Sequence, residues 1–113
     1  MIEVFAALAD PNRFRIVELL RSGARPVNDI GQCLQLNQPQ VSKHLRVLKQ
    51  AGLVAVQPRA QQRLYELRAE SLMQLHTWLE RYRQLWDARF EQLDELVEEL
   101  YAKEKSNERK SRN

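Results

Sequence analysis

The 113-residue chain contains a single cysteine, Cys33, so it can form neither an intrachain disulfide nor a cysteine-based metal cluster within one copy. No apolar run approaches membrane-spanning length, and the first residues lack the basic-then-apolar pattern of a signal peptide. These absences predict a soluble, cytoplasmic protein with no membrane partner. No Ser/His/Asp set, no paired carboxylates and no glycine-rich phosphate loop stand where they could converge, so no catalytic residue is assigned. The most informative absence is negative charge. From Ile30 to Tyr65 there is no Asp or Glu, while Lys43, Arg46, Lys49, Arg59 and Arg63 all fall in that interval. The net charge is only +3, but residues 1–68 hold ten Lys/Arg against five Asp/Glu, whereas residues 69–113 hold eight against ten. Positive charge concentrated in this way argues for an anionic partner.

Inside the acid-free interval, Asn37 to Gly52 has the start and stop signals of one helix. Asn37 can accept hydrogen bonds from the free amides of the first turn, and Gln40 can reach back to close a capping box. Pro39 sits where no amide donor is needed, and Gly52 supplies a left-handed stop. Val41, Leu45 and Leu48, continued by Ala51, form an inward stripe. Gln38, Gln40, Ser42, Lys43, Arg46, Lys49 and Gln50 remain outside, a set of amides, a hydroxyl and cations. That chemistry suits base edges and phosphates. Within the same helix, His44 could contact a phosphate or cap a neighbouring element.

Taken in order, Ile2–Leu8 is a short apolar helix, with Ile2, Phe5, Ala6 and Ala9 at helical spacing, that must lie against something to persist. Asp10-Pro11 opens a second helix running to about Arg21, with Phe14, Ile16, Val17, Leu19 and Leu20 on its buried side. Ser22–Pro26 reads as a loop, and a short helix from near Asn28 to near Leu34 precedes the turn at Gln35–Asn37. A short helix, a tight turn and a second helix with an amide-rich start make a helix-turn-helix. The turn itself has no glycine. Leu53–Val56 and Leu64–Leu67 read as paired strands, joined by the basic tip Gln57–Arg63. Lacking the Gly or Asn-Gly of tight hairpins, that tip predicts a longer, mobile loop. It forms a wing that could lay Arg59 and Arg63 along phosphates or in a minor groove.

From about Glu70 the chain has neither Gly nor Pro. Ser71 and Gln74 could form a further capping box. Leu72, Leu79, Trp86, Leu93 and Leu100 recur by sevens, with Leu75, Tyr82, Arg89 and Leu96 between them, and Phe90 and Val97 widen the stripe. The pattern predicts one helix over about 70–102, roughly 45–50 Å long, and a charged, disordered tail over 103–113. A domain of this size cannot cover such a face alone, whereas a second copy can, with Ile2–Leu8 as companion. Two alternatives stand beside this homodimer: the stripe folds back on its own chain, with a break near Gln84–Asp87, or it recruits a different partner chain as a helical interaction module.

The stretch Ala7–Leu20, with Ala-Asp-Pro-Asn-Arg at its centre, and the stretch Asn37–Val54 together resemble the ArsR/SmtB family of bacterial winged-helix repressors over about residues 2–68. The resemblance implies a mainly α fold with a small β-hairpin: a winged helix-turn-helix domain over 1–102 with dimerisation helices at about 2–9 and 70–102. It implies a homodimer on double-stranded DNA, repressing from an inverted-repeat operator, with base contacts from Gln38, Gln40, Ser42 and Lys43. Asn37, His44, Arg46, Arg59, Gln62 and Arg63 are the expected backbone and wing contacts, and Ile2, Phe5, Leu72, Leu75, Leu79, Tyr82, Trp86 and Leu93 the expected dimer interface. The family's sensing residues do not carry over. Pro26, Asn28 and Gly31 stand where arsenic-type members carry cysteines. Cys33 lies one turn too late to replace them and reads as a small core residue, with a redox sensor as the alternative. His76 and Glu80, four apart, are two ligands short of a tetrahedral site. No metal or cofactor is expected, and no effector is assigned.

Overall fold

The computed structural model describes the backbone of residues 1–111 and the side chains of residues 1–107. Local signals place most of the helices. Helix α1 spans Ile2–Leu8, α2 Pro11–Leu20, α3 Val27–Leu34 and α4 Gln38–Gln50. Strand β1 is Arg25–Pro26, β2 is Val54–Arg59 and β3 is Gln62–Leu67, and helices α5 (Ala69–Glu80) and α6 (Arg83–Ser111) follow. The chain divides into two units, Met1–His76 and Thr77–Asn113.

In the first unit the core is built from helices meeting a small sheet. Ile16 of α2, Ile30 of α3, Val41, Leu45 and Leu48 of α4, and Leu53 and Val54 at the start of β2 are fully buried. Each such side chain contributes about 1.5–3 kcal/mol of transfer free energy. Val4 and Ala7 attach α1 to this core, so Ile2, 76% exposed, and Phe5, 38% exposed, face outward. Two arginines of α2 satisfy carbonyls at the ends of its neighbours, which would otherwise lack donors. Arg13 donates to Ala7 O (2.7 Å) and Ala6 O (3.2 Å), and Arg15 to Leu34 O (3.4 Å).

Several expectations need correction. Phe14 was expected on the buried side of α2 but is 51% exposed. Helical periodicity allows a wide inward arc, and the neighbours cover only Ile16, Val17, Leu20 and part of Leu19. Arg25–Pro26 was expected in a loop but forms the edge strand of an antiparallel sheet ordered β1-β3-β2, pairing with Tyr65 and Leu64. Proline suits an edge because it has no amide to give to an inner ladder. The wing also departs from expectation. Its strands continue to Arg59↔Gln62, leaving a two-residue turn in which Ala60 adopts φ +53°. An alanine here accepts the left-handed conformation that glycine takes without steric cost.

The turn between α3 and α4 is closed by Gln35 at φ 58°, ψ 43°, and by Leu36 N–H donating to Gly31 O at 3.0 Å. The glycine this turn requires therefore lies inside α3, since a Cβ on Gly31 would sit 2.8 Å from Leu36 O. Ser71 does not cap α5. It lies within the helix and donates to Gly52 O at 2.6 Å, tying α5 to the end of α4. Leu72 and Leu75 pack against the same core.

In the second unit the predicted single helix is interrupted. Helix α5 ends at Glu80 and α6 starts at Arg83, with Arg81 N–H and Tyr82 N–H bonding three residues back to Trp78 O (3.2 Å) and Leu79 O (3.0 Å). No Gly or Pro marks the spot. Trp78 and Tyr82 meet edge to face, ring centres 5.2 Å apart, and Arg83 reaches Glu80 (3.4 Å) across the junction and Asp87 (3.2 Å) within α6. Helix α6 runs past Lys103 to Ser111, so its backbone is helical through most of the span expected as a tail; residues 112 and 113 lie outside the described residues. No helix among the described residues is long and apolar enough to cross a membrane.

Candidate nucleic-acid interface

Helix α4 forms as its sequence dictates. Asn37 Oδ1 accepts from Gln40 N–H at 2.9 Å, and Gln40 Oε1 accepts from Asn37 N–H at 3.0 Å, completing the capping box. Gly52 follows at φ +79°. With Val41, Leu45 and Leu48 buried, Gln38, Gln40, Lys43, Arg46 and Lys49 are exposed and Ser42 is half-buried at the edge of that face. Gln40 thus holds the cap with its side-chain oxygen, and its amide nitrogen remains exposed.

His44 turns the other way. Its side chain is 14% exposed, and Nδ1 is buried without a hydrogen-bond partner, 4.0 Å from Asp10 Oδ1. Of the two roles open to it, the geometry favours contact with a neighbouring element. Asp10 is the N-cap of α2, accepting from Asn12 N–H (2.9 Å) and Arg13 N–H (3.1 Å). The Arg13 amide is foremost in holding the Asp10 carboxyl below its ordinary range. The Asn12 amide and the charges of Arg13 and His44 add to it, and partial burial opposes them.

In the wing, register decides direction. Side chains alternate along a strand, so Arg59 shares one face with Gln57 and Gln62, and Arg63 shares the other with Pro58 and Tyr65. The two arginines therefore project from opposite faces of the hairpin. Gln62, Arg63 and Gln61 border a surface groove of about 270 Å³ whose other walls are Pro26, Val27, Asn28 and Gln38. The structure thereby brings the wing tip beside the start of α4, and adds Asn28 and Gln61, which the sequence had not placed at this surface.

Ion pairing divides the first unit sharply. Arg13, Arg21, Arg25 and Arg68 each pair with a carboxylate, and Arg15 caps α3. Among the described residues, none of Lys43, Arg46, Lys49, Arg59 or Arg63 forms an ion pair or a side-chain hydrogen bond. The acids bordering the interval are engaged as well: Asp29 by Arg25 at 2.6 Å, and Glu66 by the Gln57 amide at 2.7 Å. The result, among the described residues, is a surface of unpaired cations and free amides whose bordering carboxylates are Asp29, ion-paired by Arg25, and Glu66, hydrogen-bonded by a neutral amide.

Cys33 is exposed rather than in the core, 3.8 Å from the Arg25 guanidinium. The short α3 turns only Ile30 and Gly31 fully inward. No group of three or more His, Cys, Asp or Glu side chains suited to a metal ion occurs among the described residues. Of the expected interface residues, Ile2, Phe5, Leu79, Tyr82 and Leu93 are exposed and Trp86 is half-buried, while Leu72 and Leu75 face the core.

A helix-turn-helix followed by a basic two-stranded wing defines a winged helix-turn-helix protein. Residues 8–57 match a family profile described as a helix-turn-helix domain. Over 76 residues, covering 67% of this chain and 71% of the relative, the sequence is 42% identical to the HTH-type transcriptional regulator Rv2034 of Mycobacterium tuberculosis. It is 33% identical to the transcriptional repressor SdpR of Bacillus subtilis, over 70% of this chain and 88% of that one. Among solved structures it is similar to the homodimeric winged helix-turn-helix DNA-binding domain of Mb0332 from Mycobacterium bovis, a possible ArsR-family regulator. The TM-score is 0.61 at 28% identity, covering 74% of this chain and 77% of the other. The chain belongs to the ArsR/SmtB family of winged helix-turn-helix transcriptional regulators.

Proposed function

We propose that the protein is a homodimeric, sequence-specific repressor that binds an inverted-repeat operator. The observation that carries this reading is the set of five unpaired cations, Lys43, Arg46, Lys49, Arg59 and Arg63, on α4 and the wing, in a chain whose other first-unit arginines are all engaged. In the complex α4 enters the major groove, where Gln38, Ser42, Lys43 and the free nitrogen of Gln40 read base edges. Asn37, Arg46, Arg59, Gln62 and Arg63 hold backbone, and His44 supports α4 from behind. Two copies present their reading helices about 34 Å apart on one side of the duplex. The outward residues Ile2, Phe5, Leu79, Tyr82, Trp86 and Leu93 supply the contacts between copies, and Leu72 and Leu75 back them from the core. A homodimeric neighbour supports the two-fold arrangement, and a repressor among the relatives supports the direction of regulation.

Because Gln40 also holds the capping box, its replacement by alanine mixes lost recognition with a cap loss of about 1 kcal/mol. Gln38, exposed and with no side-chain hydrogen bond among the described residues, gives the cleaner test. Gln38→Ala is expected to cost about 1–3 kcal/mol on the operator and little on a scrambled duplex. Arg63→Ala is expected to weaken both alike and to lower the salt slope by about one. Equal loss on both duplexes for Gln38→Ala would remove its reading role.

A further inference from the structure

Gln38 and Gln40 stand two residues apart at the start of α4, carry the same amide and are both exposed, yet the fold gives them different chemistry. Gln38 has no side-chain hydrogen bond among the described residues, so its oxygen and its nitrogen are both free. Together they can make the paired contact of a side-chain amide with adenine, accepting from N6 and donating to N7. Gln40 is held by the capping box: its Oε1 accepts from Asn37 N–H at 3.0 Å, and its own backbone N–H donates to Asn37 Oδ1 at 2.9 Å. Because a backbone N–H must meet an acceptor, the amide cannot turn over without breaking the cap. The oxygen is thereby kept against the start of its own helix. Nε2, which has no hydrogen-bond partner among the described residues, becomes the end that a ligand meets.

We propose that Gln40 reads the operator as a hydrogen-bond donor and so selects guanine or thymine. These two bases carry an oxygen at the major-groove edge, O6 in guanine and O4 in thymine, where cytosine and adenine carry an amino group. Cytosine offers Gln40 only a second donor. Reading adenine through both amide atoms would open the cap, at a cost of about fivefold in affinity. The surroundings of Gln40 favour the same bases. No carboxylate between Ile30 and Tyr65 is present to accept from an amino group, and Lys43, three residues on, adds donors alone. The inference rests on α4 entering the major groove of an operator, as proposed above, and names the bases that one of its side chains takes.

The test keeps the cap and exchanges the exposed atom. Glu fills this position of a capping box as well as Gln does, so Gln40→Glu retains an oxygen for Asn37 N–H and puts an acceptor where the donor stood. The full chain and the variant each select duplexes from a random pool. At one position in each half-site the preferred base should change between the oxygen-bearing class (guanine, thymine) and the amino-bearing class (adenine, cytosine), a swing of at least about fivefold. Each oxygen-bearing base pairs with an amino-bearing one, so the exchange is the same seen from either strand. The added charge weakens all duplexes alike and does not imitate a change of preference. Identical sites for the two proteins, or a change that stays within one class, would overturn the inference and leave the repressor standing. If Gln40→Glu binds too weakly to select, Gln40→Met removes the donor without adding charge and should lose its preference at one position per half-site. An unaltered site would then overturn the inference. No enriched site from the unsubstituted chain would remove the repressor reading itself.

Discussion

Gly31 illustrates how a single residue sets the geometry of the helix-turn-helix. Here α3 and the following turn approach so closely that Leu36 O lies 2.8 Å from where a Cβ would stand. That atom belongs to the backbone, so it cannot swing aside like the end of a flexible side chain. Gly31→Ala is expected to cost about 1–3 kcal/mol, seen as a fall in Tm of roughly 5–15 °C. An unchanged Tm would show that the turn relaxes freely. At this scale the sequence is only partly legible. The Asn37–Gln40 capping box was readable because both partners lie within one turn. The outward Phe14, the exposed Cys33 and the inward His44 were not, because what covers or uncovers them belongs to other elements. Glycine was sought in the turn itself, whereas the close approach occurs one helical turn earlier.

Among the elements, helices with local start and stop signals match their predicted spans, and elements fixed by tertiary contact do not. Helix α2 begins at Asp10-Pro11 as read, and β1 was missed because two residues carry no periodicity and exist only through β3. The tight wing turn was missed because Ala60 adopts a conformation its side chain disfavours. The break at Arg81–Tyr82 lies in a segment without Gly or Pro, so composition had no means of marking it. The α2 N-cap also has a consequence for acid stability. Asp10 has a lowered pKa in the folded protein, led by the hydrogen bond from Arg13 N–H. Its stabilising contribution is complete above the unfolded value of about 3.9 and is lost as pH falls through the depressed folded value. Asp10→Asn keeps a capping oxygen but cannot titrate. Below about pH 4 the variant should lose less Tm than the parent as the pH is lowered further, and parallel Tm–pH curves for the two would refute the assignment.

For the whole molecule, charge placement was the most legible property. The acid-free interval is visible in the sequence, but that its five cations are all unpaired, and that the bordering Asp29 and Glu66 are engaged elsewhere, is visible only in three dimensions. Asp29 is charge-paired by Arg25, whereas Glu66 keeps its charge beside the neutral Gln57 amide, so the five cations outnumber the one uncompensated bordering carboxylate and leave the surface net positive. Counting Arg46, Arg59 and Arg63 in each copy of the proposed dimer, phosphate neutralisation predicts a log–log salt slope of about −5.

The most direct measurement is the affinity of the full chain for a duplex selected from its host genome, and for a scrambled duplex, across a salt series. The account predicts steep weakening with salt on both, together with a preference of at least about 10³ for the selected site at physiological salt. An affinity nearly independent of salt, or equal on the two duplexes, would contradict it.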